Sequence, residues 1–200
     1  MIEVCGEKLM KTRIEAIQSL VQKYKTAASA LVELEGLRGK LEDEARGLLG
    51  HLSGLPMEVL ALPQSGAEHW PAATNAKLRS LASVRTKLEL LPGVKARQEA
   101  EVQALRPQLR AAVKALRNHC RDEALARMER QQAELAGGLT ALHGGDTDRA
   151  KAAAAKAIEN CDAWDWAETF RSYTPASDPV EEAETVVGLA EKFSRSEPCS

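Results

Sequence analysis

Histidine and cysteine are the side chains that most readily act as bases, nucleophiles or metal ligands near neutral pH. This chain has four of each: His51, His69, His119 and His143, and Cys5, Cys120, Cys161 and Cys199. None of the histidines has a second histidine or cysteine at a metal-ligand spacing. His119 and Cys120 are adjacent, but neighbouring positions on a helix diverge by about 100°, so the two do not readily share one ion. The Glu-x-x-His pattern of a di-iron bundle is missing, and so is a glycine-rich phosphate loop. The run Glu42-Asp43-Glu44 fits a solvated helix face better than a paired-carboxylate site. The expectation is therefore no catalytic residue, no metal, no cofactor and no small-molecule substrate. An enzyme would have to assemble its constellation from residues far apart in sequence.

Two other constellations stand out. Arg106, Arg110, Lys114, Arg117 and Arg121 recur at steps of four and three, which stacks them on one flank of a helix. Lys77–Arg130 holds 13 Lys and Arg against 6 Asp and Glu, while Asn160–Ser200 holds 3 against 9. A net charge of −2 thus conceals a basic middle and an acidic tail. Such a ridge can flank an apolar seam with ion pairs, or it can neutralise phosphates. No aromatic residue interleaves with it between Trp70 and Trp164, which argues against base stacking with single strands. The second constellation is Trp164, Trp166, Phe170 and Tyr173. Trp166, Phe170 and Tyr173 share a helix face, and Trp164 lies on another. Aromatic side chains dominate both small cores and interface hot spots, so this cluster either closes a core or docks a partner.

The elements that must position these residues are helices. Met10, Ile14, Ile17, Val21, Tyr24, Ala28 and Leu31 alternate four and three, a coiled-coil seam. The seam then shifts to Leu34, Leu37, Leu41 and Leu48 near Gly36 and Gly39, a stammer that overwinds the helix. A second long helix is expected over Val94–His143. One stripe is Leu105, Leu109, Ala112, Leu116 and His119; another is Leu125, Met128, Leu135, Leu139 and Leu142. Pro107 lies inside this helix, and Gly144-Gly145 ends it. Between the long helices, a linker over 53–73 carries Pro56, Pro63 and Pro71, with the lone Trp70 in it. A connecting helix follows to Leu91, with Leu78, Leu81, Val84, Leu88 and Leu91 on one face. Pro92-Gly93 is expected to stop it. Asp146 or Thr147 caps a helix running to Tyr173, and Asp178-Pro179 opens a last one.

The fold class expected is all-α: an elongated antiparallel helical hairpin or coiled-coil bundle, with a connecting helix and one or two C-terminal helices. Residues 1–143 form the hairpin and 146–200 a small C-terminal segment. Strand signals are almost missing, and aromatics make up only 4% of the chain, which suits thin helix-on-helix packing. No stretch is apolar for the ~18 residues of a membrane span, and the N-terminal residues do not resemble a secretion signal. With scattered cysteines, the expected setting is the reducing cytoplasm. The function expected is that of a non-enzymatic interaction or assembly protein, binding a protein partner or itself. The alternative is a nucleic-acid or anionic-surface binder using the basic ridge.

Overall fold

The structure, a computed structural model, describes residues 3–53, 72–159 and 162–196. Among these residues there are five helices and no strand: α1 (Glu3–Ser53), α2 (Ala72–His143), α3 (Thr147–Glu159), α4 (Ala163–Ser172) and α5 (Pro179–Arg195). The protein is an all-α helical bundle. The linker expected over 53–73, Trp70 included, lies almost entirely outside the described residues.

The chain separates into two compact units, Met1–Tyr24 with Leu105–Ser200, and Lys25–Ala104. In the second unit, α1 and α2 run antiparallel, because partner numbers fall as residue numbers rise. Gln98 reaches the Ala27 carbonyl at 3.4 Å, and Lys95 reaches Glu35 at 2.9 Å. Leu41, Val84 and Leu91 are buried together there, with Leu34, Leu48 and Leu88 packed against them. These are the residues whose three- and four-residue spacing marks the apolar faces in the sequence. Leu37, at the phase shift, is 45% exposed instead.

The first unit holds the thicker core. Met10 and Ile17 of α1 meet Leu109, Val113, Leu116, Cys120 and Ala124 of α2. Phe170 of α4 and Val186, Ala190 and Phe193 of α5 complete it. Trp166, Phe170 and Phe193 form a triangle with ring centroids 5.6–5.9 Å apart. Two of these three contacts are edge-on, the geometry that the ring quadrupole favours. Local signals set the helix ends. Gly145 takes a φ of +80°, the left-handed turn that glycine adopts without a steric cost, and α2 ends there. Asp146 accepts from the Arg149 N–H at 3.0 Å and caps α3. Asp178 accepts from the Val180 and Glu181 N–H groups at 2.7 and 3.0 Å, with Pro179 as the first residue of α5.

Three expectations are corrected. First, Pro92-Gly93 does not stop a helix: the connecting helix and the central helix are one element, α2. A proline inside a helix costs roughly 3 kcal/mol. Here Leu88 and Leu91 on one side and Lys95 and Gln98 on the other all bond or pack against α1, and breaking the helix would lose both sets. Pro107 is likewise carried within α2. Second, the helix expected from Asp148 to Tyr173 is two helices, ending at Glu159 and resuming at Ala163. Asp162 precedes α4 and accepts from the Trp166 indole N–H at 3.1 Å. That bond, within one turn, holds the Trp166 indole in place at the start of α4, where its ring packs on Phe193. Third, the stripe Leu125–Leu142 is not the face that packs within the chain, as described next.

Candidate interaction surface

From Ala124 to Ala141, two stripes run side by side on α2. One is Ala124, Arg127, Gln131, Glu134, Gly138 and Ala141, all buried or half-buried. The other, one residue further on, is Leu125, Met128, Gln132, Leu135, Leu139 and Leu142. Its leucines are 38–60% exposed. This stripe makes the contact with α3, through close approach at Gly138 and polar side chains at Gln131 and Glu134. A β-carbon placed at Gly138 would lie 3.0 Å from the Ala153 methyl and 3.6 Å from the Ala150 carbonyl. Gln131 donates to the Ala157 carbonyl at 3.1 Å, and Lys156 stands 3.8 Å from Glu134. The alanine-rich helix α3 therefore lies flat on the glycine and alanine side of α2, and the leucines beside it point away.

At one end of the leucine stripe stands Trp164. Of the four aromatic residues singled out in the sequence, Phe170 is buried and Trp166 and Tyr173 are half-buried in the first unit's core. Trp164 alone projects outward, 61% exposed. It borders a shallow depression with Leu125 and Met128, rimmed by Arg121 and Arg171. Leucine stripe and Trp164 thus form one apolar surface, joined at Leu125 and Met128.

The basic ridge divides in the structure. Arg110 donates to the Ser177 carbonyl at 3.2 Å, and the Arg117 guanidinium lies over the Tyr173 ring, 5.8 Å from its centroid. Arg121 donates through two nitrogens to Asp122, the shorter bond 2.9 Å. Arg106 and Lys114 are exposed. The ridge and the aromatic segment, separate in the sequence, therefore meet, and two of the arginines help to hold the segment between α4 and α5. Burial raises the Tyr173 phenol above the ordinary tyrosine range, and Glu182 adds to the shift while Arg117 opposes it.

Three further residues carry polar chemistry that the sequence does not announce. Arg127 is buried, its guanidinium 4.1 Å from the centroid of the Phe193 ring. An arginine in a leucine-rich segment reads as surface charge; only the fold shows it stacked in the core. His119 Nε2 is enclosed and has no hydrogen-bond partner. Cys120 is fully buried, and its thiol is pushed up to about 12, chiefly by burial. A thiol so placed is no nucleophile at neutral pH. Among the described residues no group of three His, Cys, Asp or Glu side chains gathers as metal ligands would, and no helix is long and apolar enough to cross a membrane.

In the second unit, a groove of about 570 Å³ opens between Leu34, Arg38 and Glu42 of α1 and Leu88, Leu91 and Lys95 of α2. The Glu35–Lys95 ion pair borders it. It holds no convergent set of polar groups beyond that pair and its neighbours on each helix.

Compared with protein-family models, with curated proteins and with solved structures, the chain shows no match.

Proposed function

We propose that the protein is a non-enzymatic interaction or assembly protein, and that the exposed surface of Leu125, Met128, Leu135, Leu139, Leu142 and Trp164 is where a protein partner sits. The observation that carries this reading is the exposure of a regular three-four leucine stripe on a helix whose intramolecular contacts lie on another face. Scattered apolar residues on a surface need no explanation, but a continuous row does. The row spans 17 residue steps, about 26 Å of helix. That is the form in which one helix presents itself to another.

Magnitudes allow at most a moderate, concentration-dependent contact. Burying a whole leucine or comparable side chain contributes about 1.5–3 kcal/mol, so five half-exposed ones offer roughly 5 kcal/mol from this side. An apolar partner contributes a similar amount. Association costs about 4–15 kcal/mol, which offsets most or all of this sum, so the contact is net favourable only where that cost is low, and it depends on how well Trp164 is enclosed.

The alternative, an anionic polymer bound along the basic ridge, draws less support. Three of its five residues have contacts within the chain. It keeps Arg106 and Lys114 as its exposed contacts.

The test is photocrosslinking in an extract of the producing cells, with Leu139→benzoylphenylalanine in the full chain. Capture of a defined protein, whether a second copy or another chain, is expected. Crosslinking only to solvent or lipid would overturn the reading. Binding to duplex or single-stranded nucleic acid at low salt, lost on Arg106→Ala with Lys114→Ala, would favour the alternative.

A further inference from the structure

We draw no further inference here: the strongest candidate, the groove between α1 and α2 in the second unit, is an open apolar cleft whose lining charges already pair with one another, Glu35 with Lys95 and Arg38 with Glu42, and nothing in the structure shows what covers it.

Discussion

Gly138 and Ala153 are packed so closely that the glycine has no room for a methyl group without displacing its neighbour, at 3.0 Å. Gly137, one residue earlier, faces open space. The two glycines therefore predict opposite responses. Gly137→Ala should raise stability by up to about 1 kcal/mol, the ordinary gain from replacing glycine inside a helix. Gly138→Leu should lower it by about 1–3 kcal/mol through overpacking, and should loosen α3 from α2. Urea titration followed by circular dichroism measures both. Limited trypsin digestion should show earlier cleavage at Lys151 and Lys156 in the Gly138 variant only.

That pair also shows what the sequence conceals. Apolar patterning ranks leucine above alanine and glycine, so Leu125–Leu142 stands out as the face that should pack. The contact with α3 is made instead through close approach at Gly138 and polar side chains at Gln131 and Glu134. The larger seams were legible: Met10, Ile17 and Tyr24 on α1, Leu81, Val84 and Leu91 and then Leu109 and Leu116 on α2, are buried where their spacing places them. Helix ends written in local chemistry, at Gly145, Asp146 and Asp178, were legible too. Pro92-Gly93 was misleading because a local break signal competes with contacts to α1 on both sides of it. Of the candidate site, the outward direction of Trp164 relative to Trp166 and Phe170 follows from helix periodicity. The burial of Arg127 against Phe193 does not, because it depends on α5 bringing in a residue 66 positions further along the chain.

Phe193 is the residue on which the first unit's core converges, touching the Trp166 and Phe170 rings of α4 and the Arg127 guanidinium. Phe193→Ala should cost about 3–5 kcal/mol. Arg127→Met keeps the volume but loses the cation–π contact, and should cost about 2 kcal/mol. The double variant should cost less than the sum of the two, because each removes the same contact. Denaturant midpoints, read by tryptophan fluorescence, give all three values.

Cys120 should react very slowly with thiol reagents in the folded protein. With its thiol pushed up to about 12, the thiolate fraction at pH 8 is of the order of 10⁻⁴, and the side chain is enclosed as well. In a Cys5→Ser, Cys161→Ser, Cys199→Ser background, an aromatic disulfide reagent should give no signal in buffer and one equivalent in denaturant. Rapid reaction in buffer would show that the core around Leu116 and Ala124 opens.

The Glu35–Lys95 pair gives the second unit a pH signature. The hydrogen bond and charge of Lys95 hold Glu35 below the ordinary glutamate range, and Glu35 holds Lys95 above the ordinary lysine range. A depressed carboxylate contributes stability above its unfolded-state pKa and loses it as the pH falls through the folded value. A raised lysine contributes below its unfolded-state pKa and loses it as the pH rises through the folded value. The pair is therefore intact across the neutral range and lost at both extremes. Both side chains are solvent-exposed, so the effect is small and salt-sensitive. Glu35→Gln should flatten the acid limb of the stability curve, and added salt should shrink the difference between variant and parent.

Hydroxyl-radical footprinting of the intact protein in its native extract tests the central claim most directly. Leu139, Leu142 and Trp164 are 55–61% exposed, and Leu90 and Val94 in the second unit are 65% and 47% exposed. If a protein covers the leucine stripe, Leu139, Leu142 and Trp164 should be oxidised several-fold more slowly than their exposure in the single chain allows, while Leu90 and Val94 react at the full rate. Oxidation of all five in proportion to exposure would mean that the stripe faces water, and the account would be wrong.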